Sequence, residues 1–260
     1  MIFVSSLLRE KYPRDAENIF SAFAENGVEY TLIGGRDVWV RDFMPITTRS
    51  GQFVSFRYEP SYLVGFEESR TNFTRDIGYI EKVTFSDINL DGGNAVFSPS
   101  KQKVIVSDRI FSENPGASPS ELTVELSRLL EADVTVIPSL KSDITGHADG
   151  CVRFLNEDTV LANRPMTSHG FERRAIKALV KNGFEVVNFP FFAGKGAVGC
   201  YINFLETEEY IFLPVFDSER DFDAVSEAQQ IFRKKVVPIK LYDLPRDGGA
   251  LNCITWETEI

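Results

Sequence analysis

The sequence predicts an α/β fold assembled from roughly five blocks of about 50 residues that close head to tail. Three observations predict it. Glycine-marked turns recur at Asp91-Gly92-Gly93-Asn94, at Gly146 to Gly150 and at Gly196-Ala197-Val198-Gly199. Strand-like runs and then a helical segment follow these turns, in phase with them. The last block, from Val236 to Ile254, has no helical pattern of its own, and the helical segment at 13–26 completes it. An ordinary mixed α/β sheet also alternates strands and helices; the in-phase turns favour the repeat.

Each element has its own local reason. Residues 13–26 open on Pro13, place Ile19, Phe20 and Phe23 on one face and stop at Gly27. Val104 to Ser107 is a β-branched run. Residues 119–131 follow Ser118 with Pro119 and Glu121, a capping-box pattern, and carry the stripe Leu122, Leu126, Leu129 and Leu130. Extended runs are expected at 134–138, 159–162, 186–190, 210–215 and 236–239. Residues 170–182 put Phe171, Ala175, Ile176, Leu179 and Val180 on a helix ending at Gly183. Residues 221–233 form a weaker fourth helix.

Composition narrows the class. The 260 residues, 43% hydrophobic and 25% charged, suit a globular chain with a substantial core, read as one domain over 1–260. The formal net charge of −10 argues against nucleic acid or an anionic membrane as partner, and is compatible with a cationic small substrate. Cys151, Cys200 and Cys253 are odd in number and widely spaced, unlike a disulfide framework or a zinc site. The N-terminal apolar run is short and has no basic n-region, so a cytoplasmic protein is expected.

The chemistry concentrates in three stretches: Trp39-Val40-Arg41-Asp42, Gly146-His147-Ala148-Asp149-Gly150 and Gly248-Gly249-Ala250-Leu251-Asn252-Cys253. They offer a thiol, an imidazole and two carboxylates, a set suited to attack on a flat cationic carbon such as a guanidinium. That carbon is a poor electrophile. It needs a strong nucleophile, which a thiolate provides, and carboxylates that accept its N–H groups and fix its plane. It also needs an acid for the departing amine. If the segment at 146–150 runs into a strand, His147 and Asp149 face one side together. Blander readings stand beside these. Asp42 after Arg41 suits a surface ion pair, Asp91 and Asn94 suit a turn, and Trp39 suits a core. Cys151 and Cys200 are expected in the core and His169 at the surface.

The ordered set Trp39-x-Arg41-Asp42, Asp91-Gly92-Gly93-Asn94, Gly146-His147-x-Asp149, Tyr201-x-Asn203-Phe204 and Gly248-Gly249-x-x-Asn252-Cys253-Ile254-Thr255 resembles the agmatine deiminase and bacterial, Porphyromonas-type peptidylarginine deiminase family. The likeness runs from about residue 30 onward, and its histidine and cysteine motifs are the most specific. It implies the pentein fold, a five-bladed α/β propeller of pseudo-fivefold ββαβ repeats. It also implies roles: Cys253 as nucleophile, His147 as general acid and then base, and Asp42 and Asp149 gripping the guanidinium. Trp39 would wall the pocket, with Asn203 nearby and Asp91 at its edge. No metal or cofactor is implied. The partner would be a small guanidino substrate or a peptide C-terminal arginine.

The chain departs from the agmatine deiminase pattern after the first motif, reading Phe56-Arg57-Tyr58-Glu59-Pro60-Ser61-Tyr62 where a Trp/Gly-rich stretch is usual. Arg57 is therefore expected to meet a substrate carboxylate as a bidentate donor. Two rival functions share the resemblance: an amidinotransferase using the same covalent intermediate, and a non-catalytic binding protein of the same fold. Retention of Cys253, His147, Asp42 and Asp149 argues against the second.

Overall fold

In the computed structural model, which describes residues 1–78, 80 and 82–258, five three-stranded sheets follow one another along the chain. β1 (Ile2–Ser5) leads through α1 (Leu8–Lys11) and α2 (Pro13–Glu25) to β2 (Tyr30–Ile33). After the short α3 (Val40–Phe43) come β3 (Ile46–Thr47), β4 (Phe53–Arg57) and β5 (Val83–Asn89). The third blade holds β6 (Val96–Phe97), β7 (Lys103–Ser107), α4 (Arg109–Glu113), α5 (Pro119–Leu130) and β8 (Asp133–Ile137). The fourth holds β9 (Val152–Phe154), β10 (Thr159–Asn163), α6 (Phe171–Lys181) and β11 (Glu185–Phe189). The fifth holds β12 (Leu205–Glu206), β13 (Tyr210–Val215), α7 (Asp221–Ile231) and β14 (Lys235–Lys240), and β15 (Thr255–Glu257) comes last.

Every blade has one grammar: a central strand antiparallel to the strand before it and parallel to the one after it. A parallel neighbour demands a crossover, which is why a helix sits between the second and third strands. The expected head-to-tail closure is present. β15 pairs antiparallel with β1, in the register Val4 with Thr255 and Ile2 with Glu257, and so supplies the first strand of the first blade.

The long helices stand where the sequence puts them. Ser118 caps α5, accepting from the Glu121 N–H while its hydroxyl donates to the Glu121 carboxylate at 2.6 Å. The α5 leucines Leu122, Leu126 and Leu130 pack on Val104 and Val106 of β7. Helix α2 buries Ile19, Phe20 and Phe23 against Phe212 and Ile239 of the last blade. Asp15 on α2 is itself buried and accepts from the backbone N–H groups of Tyr242, Asp243 and Leu244 at 2.5, 3.0 and 2.8 Å.

The second blade breaks the pattern. Among the described residues its crossover, between Arg57 and Val83, contains no α-helix, only single turns at 61–63 and 67–69 and a wider turn at 73–77. This freed segment reaches the functional site instead. No helix among the described residues is long and apolar enough to cross a membrane.

Candidate active site

Five turns, each just ahead of the first strand of a blade, meet at one point. They carry Asp42, Gly93, Asp149, Asn203 and Cys253, before β3, β6, β9, β12 and β15 respectively. Gly93 marks the meeting place. A Cβ added there would lie 2.6 Å from Asp42 Oδ1, 2.9 Å from His147 Nδ1 and 3.3 Å from Asp149 Oδ2. Only a residue without a side chain leaves that space open.

The glycine-marked turn expected at 146–150 is present and runs into a strand, but the pleat argument for His147 and Asp149 does not apply, because both lie ahead of that strand. Ala148–Gly150 forms a single 3-10 turn and β9 starts at Val152. His147 and Asp149 still face the same point, because the turn rather than a pleat brings them there. Gly146 precedes them at φ +61°, in the left-handed region that glycine enters without strain.

Cys253 is buried, its Sγ 3.3 Å from Asn203 Oδ1 and 3.5 Å from Asp149 Oδ2. Asn203 holds the two turns together. Its Nδ2 donates to Asp149 Oδ2 at 3.1 Å, and its Oδ1 accepts from the N–H groups of Ala250 and Cys253. Asn252 donates to the same Asp149 oxygen at 2.7 Å and accepts from Arg153 Nη1 at 2.6 Å. Arg41 binds the Cys253 carbonyl through its backbone N–H, the Asn252 carbonyl through Nε, and Glu257 as an ion pair. Asp42 beside it points inward, buried, and accepts from the Gly93 N–H at 3.0 Å. The alternative of Asp42 as a surface ion pair is thus excluded.

His147 is almost wholly buried between carboxylates, with Nε2 2.7 Å from Asp91 Oδ2 and Nδ1 3.5 Å from Asp42 Oδ1. Burial by itself lowers its pKa, but Asp42 and Asp91 outweigh it and push the imidazole up to about 10. Asp91 is therefore the direct partner of His147 rather than a turn residue at the edge. Burial raises the Asp42 carboxyl, and Asp91 and Asp149 add to it against the opposition of His147, leaving it at about 7. Burial, then Asp149 and Asp42, push the Cys253 thiol well above its usual value. With no cation bound, the site holds an imidazolium and a protonated thiol.

These groups line a cavity of about 680 Å³. Six carboxylates face it, from Asp37, Asp42, Asp143, Asp149, Glu172 and Asp247, with no lysine or arginine among the described residues that line it. Trp39 forms part of the wall and packs so closely on Gly249 that a Cβ there would run into the ring. Cys151 and Cys200, expected in the core, are buried but also reach this wall. His169 is exposed, as expected.

Arg57 is not brought to this cavity. It ends β4, exposed, and lines a separate pocket with Arg36 and Arg70, while the next residue, Tyr58, turns toward the catalytic side. Strand alternation sends neighbours to opposite faces, and the register shift between Phe56 and Arg57 sets which one goes inward. The sequence reading also missed Tyr62, whose hydroxyl donates to Asp91 Oδ2 at 2.8 Å. No local pattern marks it, since its turn has no periodicity.

Known proteins agree with this architecture. An agmatine deiminase of Enterococcus faecalis has the same fold with a TM-score of 0.79 at 16% identity, over 98% of this chain and 92% of its own. The substrate-bound agmatine deiminase of C. jejuni gives 0.73 at 16% identity over the same shares. DDAH from Pseudomonas aeruginosa, solved with citrulline, gives 0.60 at 13% identity over 98% of this chain and 97% of its own. These likenesses establish the pentein five-bladed α/β propeller. In sequence, a Listeria monocytogenes protein named "Putative agmatine deiminase 2" is 33% identical over 76 residues, and a Streptococcus mutans relative is 28% identical over 107. Those matches take in 28% and 39% of this chain, and only 21% and 29% of the relatives' own lengths. The match to the family described as Porphyromonas-type peptidyl-arginine deiminase runs through all five blades, from residue 4 to residue 258, and the chain belongs to that family.

Proposed function

We propose that this protein is a cysteine-dependent hydrolase that deiminates a guanidino compound, releasing ammonia and leaving a ureido product. The observation that carries the reading is the convergence of Cys253, His147, Asp42 and Asp149 on the open space at Gly93.

A guanidinium seated there donates N–H groups to Asp42 and Asp149, which also compensate its charge in a desolvated site. Its positive charge offsets the two carboxylates that hold the Cys253 thiol protonated, so binding favours the thiolate. The thiolate forms a bond to the guanidinium carbon. His147, protonated at rest, gives its proton to the leaving nitrogen, the C–N bond breaks and ammonia departs. The neutral imidazole then takes a proton from water as the oxygen attacks the amidino-thioether carbon. Collapse breaks the C–S bond, restoring the thiolate and the imidazolium. The thiol proton passes to solvent as the substrate binds, and on collapse the ureido oxygen loses its proton to solvent, where the released ammonia becomes ammonium, so protons and electron pairs balance over one guanidinium and one water.

The cavity lining selects the tail. Among the described lining residues six carboxylates outnumber the single His147 imidazolium, which Asp42 and Asp91 already flank, and this disfavours the carboxylate of free arginine or of a peptide C-terminus; Arg57 lines a separate pocket and does not reverse that. Agmatine, whose tail ends in an ammonium, fits the charge. A like charge brought into such a pocket costs several kcal/mol, so kcat/KM for agmatine should exceed that for arginine by on the order of 100-fold. The test is ammonia release from agmatine, arginine, a peptide with C-terminal arginine and dimethylarginine, with parent and Cys253→Ser. Release from agmatine, lost in Cys253→Ser by at least about a thousandfold, is expected. Transfer of the amidino group to added glycine would mark an amidinotransferase instead. Silence on every compound would sink the enzymatic reading.

A further inference from the structure

We propose that Tyr62 is a positioning residue for the His147 proton, acting through Asp91, and that the crossover of the second blade, which has no α-helix among its described residues, delivers it. The inference rests on the deiminase reading above but concerns a residue outside the grip on the guanidinium.

The geometry is a three-member chain. One oxygen, Asp91 Oδ2, accepts from the Tyr62 hydroxyl at 2.8 Å and contacts His147 Nε2 at 2.7 Å. The Tyr62 ring also meets the imidazole edge-on, with centroids 6.1 Å apart. Burial and the Asp91 charge push the Tyr62 hydroxyl well above its usual pKa, so it remains a donor. A carboxylate with one fixed donor has less freedom to rotate, and its remaining lone pair is aimed at the imidazole. Asp91 Oδ2 shared in this way pulls less hard on the His147 proton than an oxygen with a single partner, which suits an acid that must release its proton each cycle.

The turn that carries Tyr62 is anchored at its base. Glu113 of α4 accepts from the Ser61 N–H at 2.9 Å and from the Ser61 hydroxyl at 2.7 Å, and Arg109 donates to both Glu113 and Ser61. Asn89 completes the anchor, exchanging hydrogen bonds with the Glu59 backbone at 2.8 and 2.9 Å and donating to Glu113. The same segment places Leu63 and Phe66 on the cavity wall. His147 is faced by Asp42 from α3, by Asp91 and Asp149 from their turns and by Tyr62; only Tyr62 among these is neutral and removable without deleting a charge.

Tyr62→Phe tests the idea, since it keeps the ring and removes the donor. The chain has only two histidines, so His169→Gln leaves His147 as the single imidazole for nitrogen-edited NMR. In Tyr62→Phe the low-field Nε2–H resonance of His147 should move further downfield. The kcat should fall about tenfold while KM stays within about twofold, because the guanidinium grip is untouched. On an Asp91→Asn background the same substitution should add nothing, as expected for residues acting in series. An unmoved resonance would overturn the proposal. The NMR readout needs no turnover, so it still decides the matter if no guanidino compound proves to be a substrate. Should Tyr62→Phe misfold, Glu113→Gln loosens the anchor while leaving Tyr62 in place, and must shift the same resonance.

Discussion

Asp42 sits between two demands: in the proposed reaction it must be ionised to hold a guanidinium, yet burial and two neighbouring carboxylates resist its charge. Its folded pKa of about 7 lies above the ordinary carboxylate value, so the proton is bound through the acid range and lost only near neutrality. Activity should therefore rise with pH through about 7, falling about tenfold per unit below it, and Asp42→Asn should lose activity at every pH. A kcat/KM profile from about pH 5.5 to about 8.5 checks this. Gly93 gives a second forecast. Gly93→Ala puts a methyl 2.6 Å from Asp42 Oδ1 and 2.9 Å from His147 Nδ1, where the ligand belongs. Loss of about 100-fold in kcat/KM with an unchanged circular dichroism spectrum is expected. At this scale the sequence was informative where a motif joined glycines to chemistry, as at His147 and Cys253. It was silent where a residue arrives from an irregular loop, as Tyr62 does. It misplaced Arg57, because which neighbour turns inward depends on a bulge that no local pattern announces.

Among elements, α2 ties the first blade to the last through a buried carboxylate as well as an apolar face. Asp15 satisfies three backbone donors of the segment 242–244, beyond which lie Gly248, Gly249 and Cys253. Hydrogen bonds to a charged acceptor are stronger than neutral ones, and losing the acceptor strands all three donors. Asp15→Ala should cost about 2–4 kcal/mol in a denaturant titration, while leaving kcat of the remaining folded protein near the parent value. The four longer helices were legible from capping, stripe and stop residues, because those signals are local. The short helices α1, α3 and α4 were not, since one turn carries no period. That the described residues of the second crossover hold no α-helix was equally hidden. A repeat argument fills every block alike, and only the structure shows that one crossover was given over to the site.

For the molecule as a whole, the repeat is the reason a site exists. Each blade contributes a residue two to four positions ahead of its first strand, and fivefold placement turns five weak local features into one cluster of Asp42, Gly93, Asp149, Asn203 and Cys253. The net charge of −10 adds to the acid-lined cavity and should draw a cationic substrate in over distances that salt screens. Raising sodium chloride from about 20 to about 200 mM should lower kcat/KM for agmatine several-fold with kcat little changed; an unaltered kcat/KM would show that steering is absent. The pairing of Val4 with Thr255 carries a further consequence, for folding. Contacts so distant in sequence form late, because the loop they close must already be ordered to make the entropy tolerable. Cys253 lies two residues before that closing strand, and its partners Asn203 and Asp149 come from two other blades. On the proposed reading, the thiol of Cys253 is therefore expected to be aligned late in folding, a half-folded ring carrying an ordinary, unaligned thiol.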